Sequence, residues 1–478
     1  MGMRIYNTLT KSKENFTPAV PGKVGIYVCG PTVYDDCHVG HARSVVVFDV
    51  VVRYFRAMGY AVTYVRNFTD VDDKIINRAN EVGVDAHQLA EKFIEAFHRD
   101  MDALNVSRAD REPRVTEHID DIIHLVQVLM DKQAAYRVDG DVFFSVDHFS
   151  DYGKLSGRKL EDMVAGSRIE INDSKRNPFD FVLWKAAKAG EPSWPSPWGS
   201  GRPGWHIECS AMSNTFLGQT FDIHGGGKDL IFPHHENEIA QSEAAHGKPF
   251  ARYWMHNGFV NIDNEKMSKS LNNFLMIKDI LKSYHCEVIR LFLLSNHYRS
   301  PIDFSDRNLQ ESEKALDKVY GTLKRLDQDD GIAIGTGDAP AGQFWQAFCE
   351  AMDDDFNTAK GIGILFNLVK ETNRLLDRGT ATSTANDGLP TLIGDLMRMG
   401  SILGILQQAW PAYFEARTRK GLKDASLSPE AIEKLIAERS AARNNKDWQR
   451  ADEIRDELED AGILLEDKAD GTHWKVAT

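Results

Sequence analysis

Short β-rich runs and longer amphipathic segments alternate near the start of the chain. Residues 24–30 form a β-branched and aromatic run that ends in glycine, which predicts a buried parallel strand. From residue 38, valine and aromatic side chains recur at helical spacing until Gly59 ends the pattern. A second strand is predicted over 61–67, and the aspartates of residues 70–73 favour the first turn of another helix. This order predicts an α/β fold with a doubly wound parallel sheet.

A long interruption separates the two halves of that sheet. Residues 119–203 contain short strand-like pieces and then a segment dense in proline, glycine and tryptophan, which is typical of irregular packed loops. We interpret 119–203 as an insertion between the first half of the sheet domain, 1–118, and its second half, 204–315. The sheet is expected to resume near Trp205, and its strand-like segments continue to about Ile262.

Helical patterns dominate the rest of the chain. Two helices are predicted at the end of 204–315 and beyond it, and the helical spacing over 316–410 indicates an antiparallel bundle. Residues 411–428 are rich in arginine and lysine, and we interpret them as a basic linker. The tail, 429–478, is predicted to hold two helices and a short strand pair.

Composition narrows the class of protein. With 478 residues, 42% of them hydrophobic, the chain is expected to form two to four domains. A formal net charge of -14 argues against general coating by nucleic acid but leaves room for a local groove. Five cysteines, an odd number, argue against a disulfide framework and for a reducing cytoplasm. The longest apolar run, 45–52, contains Asp49, so we expect no membrane span.

The stretch from Phe221 to Glu243 carries candidate metal chemistry. A strand end, three glycines and a proline precede a predicted helix on which His234 and Glu238 lie four residues apart, on one face. An imidazole and a carboxylate so placed form half of a zinc site. Cys209 and Cys29 are candidates for the other half. Two alternatives remain at this point: Cys37 in place of Cys29, or ordinary buried cysteines and histidines.

The segment His38-Val39-Gly40-His41 opens the first long helix. A helix N-terminus favours anions, imidazole donors add to it, and glycine lets a ligand lie against the backbone. The alternative interpretation is a pair of surface histidines near a helix cap.

A basic loop, Lys266-Met267-Ser268-Lys269-Ser270, follows the predicted sheet. Two lysines beside small hydroxyls suit a triphosphate and can neutralise charge on departing pyrophosphate. An unrelated surface run would look similar, but the order of this loop after His-x-Gly-His is more specific. The G-x-G-x-x-G match at 199–204 opens no helix and is rejected as a dinucleotide motif, and the sequence contains no P-loop.

Two charged segments have ordinary explanations as well as functional ones. Asp353-Asp354-Asp355 suggests a metal, but a solvated helix start is the preferred interpretation. In the tail, Arg443, Trp448 and Asp452 lie near a helix junction and suit phosphate, base stacking and a guanine edge respectively. An amphipathic helix pair with solvated charges is the alternative.

Taken together and in this order, the motifs resemble those of the bacterial cysteinyl-tRNA synthetases, a family of class I aminoacyl-tRNA synthetases. The resemblance covers essentially the whole chain. Two positions depart from the family pattern: Val39 stands where isoleucine is usual, and Asn272 stands where glycine is usual. The segments that carry the resemblance are Val28-Cys29-Gly30, His38 to His41, Gly204 to Ser210, Phe232 to Glu238 and Lys266 to Ser270.

The resemblance implies a Rossmann-type catalytic domain split by a connective insertion, then an α-helical bundle and a small C-terminal anticodon-binding domain. It implies one zinc ion that meets the substrate thiol, ATP accompanied by Mg²⁺, and L-cysteine and tRNA(Cys) as further substrates of a cytoplasmic monomer. The implied zinc ligands are Cys29, Cys209, His234 and Glu238. The implied ATP and catalytic residues are His38, Gly40, His41, Lys266 and Lys269. The implied cysteine-pocket residues are Gly30, Thr69 and Trp205, and Arg443, Trp448 and Asp452 are expected to face tRNA.

The implied chemistry has a physical rationale. Cysteine and serine differ by one atom, which an apolar pocket discriminates poorly, whereas zinc prefers sulfur. Two other functions remain open at this stage. A cysteine:amino-sugar ligase of mycothiol synthesis shares the motifs but lacks the anticodon-binding tail. A catalytically inactive RNA-binding paralogue is disfavoured by the intact histidine and lysine motifs.

Overall fold

The computed structural model describes residues 2–158, 175–262, 265–266, 275–330, 340–378, 388–424, 427–468 and 471–476. In chain order, the strands of this described part are β1 (Arg4–Asn7), β2 (Ser12–Asn15), β3 (Lys23–Val28), β4 (Ala61–Arg66), β5 (Ala135–Val138), β6 (Asp141–Phe144), β7 (Phe181–Ala186), β8 (Gly201–Pro203), β9 (Phe221–Gly227), β10 (Ala251–Asn257), β11 (Val260–Ile262), β12 (Glu265–Lys266), β13 (Ile302–Phe304), β14 (Ile463–Lys468) and β15 (Gly471–Val476).

The α-helices of the same part are α1 (Val39–Ala57), α2 (Asp73–Val82), α3 (Ala86–Ala103), α4 (Ile119–Asp131), α5 (Trp205–Leu217), α6 (Glu236–His246), α7 (Ile277–Ser283), α8 (Cys286–Leu294), α9 (Asp306–Asp330), α10 (Gln343–Asp353), α11 (Thr358–Asp377), α12 (Leu389–Leu403), α13 (Trp410–Asp424), α14 (Pro429–Asn444) and α15 (Trp448–Asp460).

The central sheet has the strand order β10-β9-β3-β4, and every pairing in it is parallel. The chain passes from β3 to β4 on one side, and later places β9 and β10 on the other. The order of the strands therefore reverses between β3 and β9, and the carboxyl ends of such strands border the ligand crevice of doubly wound sheets. This confirms the predicted doubly wound sheet.

Helix α1 is buried over most of its surface. It packs against the sheet on one side and against α8 and α12 on the other. Its predicted apolar positions are buried, and each such side chain contributes about 1.5–3 kcal/mol to the fold. Asp49, the acid that interrupts the valine run, is also buried and forms an ion pair with Arg290 of α8. The helix thus joins the sheet domain to the helices that follow it.

The predicted insertion forms a separate antiparallel sheet of order β5-β6-β7-β8, preceded by α4. Its apolar residues share a core with the face of the central sheet that carries α5 and α6. The small helical tail has its own apolar cluster, formed by α14, α15 and β14.

The segment 411–428 is not the linker that its basic composition suggested, because most of it forms α13. Tyr413 is buried and its ring stacks on Tyr320 of α9 with centroids 3.9 Å apart. Arg417 pairs with Asp317 and Glu313 of α9. Arg417 of this basic segment thus has acidic partners on a packed helix, a contact that composition does not reveal.

The aspartates 353–355 are not a solvated helix start. Asp353 ends α10, a helix that was not predicted, and Asp355 is fully buried with a left-handed φ of 69°. The Asp355 carboxylate accepts hydrogen bonds from the Tyr298 hydroxyl at 2.8 Å and from Arg299 Nε at 2.7 Å. It also accepts the backbone N–H of Tyr6 at 2.9 Å, so it fastens the N-terminal hairpin to the helical region.

Among the described residues, no helix is long and apolar enough to cross a membrane. The domain boundaries proposed from the sequence remain predictions.

Candidate metal centre and substrate cleft

Three strand ends meet where the order of the sheet reverses. Cys29 follows β3, and its backbone N–H donates to the Gly225 carbonyl in β9 at 3.3 Å. Asn67 follows β4, and its side-chain oxygen accepts the Gly30 N–H at 2.9 Å. The first thiol is therefore held between two neighbouring strands.

The imidazole and the carboxylate come from the segment after β9. Residues 231–235 form a wide turn in which Phe232 has extended φ and ψ, and α6 begins at Glu236 rather than at Pro233 as predicted. His234 and Glu238 still lie one turn apart, with His234 Nε2 2.9 Å from Glu238 Oε1. Both side chains are buried.

The second thiol comes from α5 and completes a group of four donors. Cys29 Sγ lies 3.6 Å from Cys209 Sγ, 3.4 Å from His234 Nε2 and 3.4 Å from Glu238 Oε1. All four donor atoms lie within 4.8 Å of one another, so one metal ion can be bound by all of them. The structure therefore brings together the four residues that the sequence suggested, with Cys29 rather than Cys37 as the first thiol.

The charges in this group are strongly coupled. Burial alone would raise the pKa of the Cys209 thiol, but Cys29 and His234 lower it to about 6. Burial, followed by the neighbouring Cys209 and Glu238, raises the pKa of the Cys29 thiol well above its usual value. Burial opposes protonation of His234, yet Glu238 and Cys209 raise its pKa to about 10. A cation bound at the centre would supply positive charge that favours two thiolates and a neutral imidazole.

Two histidines that were not singled out from the sequence hold the donors in place. His224 Nε2 lies 2.7 Å from Glu238 Oε2, the oxygen that faces away from Cys29. His206 Nδ1 lies 3.0 Å from His234 Nδ1, which leaves Nε2 as the donor atom of His234. Such outer partners fix the orientation of metal ligands. Their positions, His224 in β9 and His206 near the start of α5, were the only available signal.

A second combination of buried donors shares two of these residues. Cys29, His224, His235 and Glu238 also have ligand atoms within 4.8 Å of one another. In this set His235 Nε2 is 3.9 Å from Glu238 Oε1, and His235 Nδ1 lies 2.8 Å from His256 Nε2. The first set contains both Cys29 and Cys209, so it is the better candidate for a thiol-binding metal.

The cluster borders a cleft of roughly 390 Å³. Cys29, Gly30 and Trp205 line it, and so do His38, Gly40 and His41 at the start of α1. The Trp205 ring stacks on His234 with centroids 4.3 Å apart and is 36% exposed, so one face covers a metal-ligand candidate while the side chain still reaches the cleft. The predicted pocket position of Trp205 is consistent with this placement.

The start of α1 forms a closed cap. The His38 and His41 rings stack with centroids 3.7 Å apart, and His38 Nδ1 accepts the N–H groups of Gly40 and His41. The Val39 N–H donates to the Leu275 carbonyl at 3.0 Å. The backbone N–H groups that were expected to bind an anion therefore already donate to other acceptors. The groups that this end of α1 offers to the cleft are the two histidine rings. Burial and the neighbouring His38 lower the pKa of His41 to about 3, so its ring is neutral.

The other two predicted cysteine-pocket residues, Gly30 and Thr69, differ in their position relative to the cleft. Gly30 lines the cleft, and a Cβ at this position would lie 1.6 Å from the Asn67 carbonyl oxygen, so glycine is required by the adjacent chain. Thr69 is buried, and its hydroxyl donates to Glu208 at 2.8 Å, next to Cys209. Thr69 does not line the cleft, and it supports the helix that carries the second thiol.

The lysine loop and the tail are only partly described. The backbone of Lys266 lies in β12, whereas Lys269 falls outside the described residues. In the tail, Trp448 is 59% exposed at the start of α15, and Arg443 pairs with Asp467 at 2.8 Å. Asp452 lies exposed on the same helix as Trp448.

Comparison with known proteins identifies the family. A family profile described as "tRNA synthetases class I (C) catalytic domain" matches residues 15–314. The chain is 55% identical over 484 residues to "Cysteine--tRNA ligase" of Geobacter metallireducens, with 100% of both chains covered. It is 52% identical over 486 residues to the protein of the same name from Thermodesulfovibrio yellowstonii, with 99% of both covered. The chain belongs to the cysteine--tRNA ligase family.

The other matches extend the family assignment along the chain. A DALR domain profile matches residues 347–407, and a profile described as "Cysteinyl-tRNA ligase anticodon binding domain" matches 427–474. Among solved structures, Mycobacterium tuberculosis methionyl-tRNA synthetase with methionyl-adenylate superposes with a TM-score of 0.57 at 15% identity, covering 80% of this chain and 89% of that one. That likeness shows the class I synthetase fold.

Proposed function

We propose that this protein is a cysteine--tRNA ligase that activates L-cysteine with ATP and then transfers it to the 3′ end of tRNA(Cys). The observation that carries the proposal is the shared cleft. Cys29 of the cluster suited to a thiol-binding metal lines this cleft, and so does the His38–His41 cap. A cysteine bound in the cleft would have its thiol at the metal and its carboxylate directed toward a nucleotide at the cap.

The types of donor, and two of the distances between them, suit zinc. Zinc bonds of about 2.3 Å to sulfur and about 2.0–2.1 Å to nitrogen imply tetrahedral edges of about 3.8 Å between sulfurs and about 3.5 Å from sulfur to nitrogen. The Cys29 sulfur lies 3.6 Å from that of Cys209 and 3.4 Å from the nitrogen of His234. When bound here, zinc supplies a soft Lewis acid that lowers the pKa of a substrate thiol and bonds its sulfur better than a hydroxyl oxygen. Rejection of serine by about 10⁴-fold corresponds to about 5.5 kcal/mol.

The chain's own residues bind and orient the reactants. The cysteine carboxylate attacks the α-phosphate of ATP in line and pyrophosphate leaves, so no protein nucleophile is needed. His38, Gly40 and His41 line the cleft and are proposed to hold the phosphates, the His41 ring in its neutral form. Lys266 and Lys269 would neutralise the leaving pyrophosphate, and Mg²⁺ would accompany the nucleotide. Trp205 and Gly30 line the cleft with Cys29 and are proposed to contact the amino acid.

The tail is proposed to read the anticodon. Trp448 is exposed and is free to stack on a base, a contact that every base can make. Arg443 and Asp452 are proposed as neighbouring contacts to phosphate and base. We also propose that the enzyme acts as a cytoplasmic monomer with one zinc ion per chain.

Two assays with purified protein test the proposed activity. Cysteine-dependent exchange between ATP and pyrophosphate reports activation, and charging of tRNA(Cys) reports transfer. Wild type is expected to perform both, Cys209→Ser is expected to lose both, and Cys286→Ser, a matched cysteine on α8, is expected to retain both. Exchange without tRNA charging but with ligation to an amino sugar would instead indicate the mycothiol-type reaction. Absence of cysteine-dependent exchange in wild type would refute the activity.

A further inference from the structure

Arg43 lies on α1 two residues after His41, and its side chain is fully buried. Its Nη1 donates to the Phe259 carbonyl at 2.8 Å, and its Nη2 donates to the carbonyls of Ser300 at 2.5 Å and Tyr298 at 3.4 Å. One side chain therefore ties the helix that carries the histidine cap to two other chain segments.

One of those segments forms a wall of the cleft. Residues 257–260, where β10 ends and β11 begins, line the cleft together with the start of α1. The Phe259 carbonyl also accepts the Ile302 N–H at 3.0 Å, and the Gly258 N–H donates to the Tyr298 carbonyl at 2.8 Å. A Cβ at Gly258 would lie 2.3 Å from the Ser300 oxygen, so the two segments are in direct contact. The Arg43 guanidinium thus sets the distance between the cap and this wall.

The positive charge of Arg43 also acts on the cleft. Its acceptors in the described structure are neutral carbonyl oxygens, so no carboxylate among them cancels its charge. Burial lowers the pKa of Arg43 to about 10, which leaves the guanidinium charged near neutral pH. Burial, and then the charges of Arg299 and Arg43, lower the pKa of Lys228, which directly follows the cleft residue Gly227. The field of Arg43 therefore reaches the cleft, where it favours an anion.

We propose that Arg43 is a positioning residue for nucleotide binding: by holding the carbonyls of Phe259 and Ser300, it fixes the width of the cleft between the histidine cap and the β10–β11 segment. The inference rests on the proposed function. It assigns to Arg43 the binding of ATP and not of cysteine, because its side chain bonds to a segment beside the histidine cap and to none of the candidate metal ligands.

The test compares Arg43→Lys and Arg43→Met with Arg290→Lys and Arg290→Met in the exchange assay. Arg290 is an equally buried arginine that also donates to three backbone carbonyls, those of Leu403, Leu104 and Asn105, none of which lines the cleft; unlike Arg43, it is also paired with a carboxylate, that of Asp49. Arg43→Met is expected to raise the KM for ATP by about 5- to 100-fold, because small displacements of binding groups are costly. The KM for cysteine should change by less than about twofold, and Arg43→Lys should restore part of the ATP affinity. Both Arg290 variants should lower Tm without separating the two KM values.

A second measurement distinguishes a loss of ATP affinity from a loss of folded enzyme. ATP raises the Tm of wild type in proportion to its affinity, and this increase should shrink in Arg43→Lys and persist in Arg290→Lys. Equal changes in both KM values, or an unchanged ATP-induced Tm increase in Arg43→Lys, would overturn the role of Arg43. If wild type itself lacks cysteine-dependent exchange, the proposed function fails. The ATP-induced Tm increase still tests Arg43 in that case.

Discussion

Replacement of His224 by phenylalanine tests how the candidate metal centre is held. One carboxylate oxygen of Glu238, Oε1, faces Cys29 and His234. The other, Oε2, accepts a hydrogen bond from His224 Nε2 at 2.7 Å. The His224 ring also stacks on Trp254 with centroids 4.5 Å apart, and phenylalanine preserves that stacking surface. The substitution therefore removes the hydrogen bond while it leaves most of the packing in place.

The expected loss follows from the buried carboxylate. Outer partners of metal ligands are worth about 10- to 100-fold in affinity, or about 1.4–2.7 kcal/mol. An unsatisfied buried acceptor costs a similar 1–3 kcal/mol. His224→Phe is therefore expected to weaken zinc binding by about 10- to 100-fold, measured by competition with a chromogenic chelator.

His256→Phe is the matched control. His256 is buried in the same group of histidines but bonds to His235 and Thr8 rather than to Glu238. It should change zinc affinity by less than about threefold. Wild-type affinity in a folded His224→Phe protein would refute the claim that His224 orients a metal-binding Glu238.

Two other predictions concern stability and tRNA. Asp49→Asn leaves Arg290 buried without its carboxylate and should cost about 3–5 kcal/mol in chemical denaturation. Burial opposes ionisation of Asp49, but Arg290 and Arg53 lower its pKa below the ordinary 3.8, so the deficit should be present above that pH and vanish as pH falls through the lowered pKa. A loss under about 1 kcal/mol at pH 7 would contradict the ion-pair argument. Trp448→Ala should weaken tRNA binding by about 1–3 kcal/mol and leave cysteine-dependent exchange intact; unchanged tRNA binding would count against base stacking.

The donor residues could be predicted because their spacing reflects local geometry. His234 and Glu238 are one helical turn apart, and this relation survives although α6 starts three residues later than predicted. The strand ends could be placed because the strands are short and apolar. Cys37 could not be separated from Cys29 by spacing, since only the parallel pairing of β3 with β9 decides which thiol faces His234.

The errors share a physical cause. From the sequence, Arg417 and Asp355 were expected to be solvent-exposed charges, but each is paired with groups more than fifty residues away in the chain. Likewise, the first-turn amides of α1 looked open to an anion, yet the His38 side chain and the Leu275 carbonyl accept from them. Partners from distant parts of the chain decide burial and hydrogen bonding, and a single sequence does not contain that information.

The central claim is that a metal held by Cys29, Cys209, His234 and Glu238 bonds the sulfur of the amino-acid substrate. X-ray absorption at the zinc edge tests this directly, because zinc–sulfur bonds near about 2.3 Å are distinct from zinc–nitrogen and zinc–oxygen bonds. The protein alone should show two sulfur ligands per zinc ion, cysteine should raise the number to three, and serine should leave it at two. A sulfur count that cysteine does not change would contradict the account.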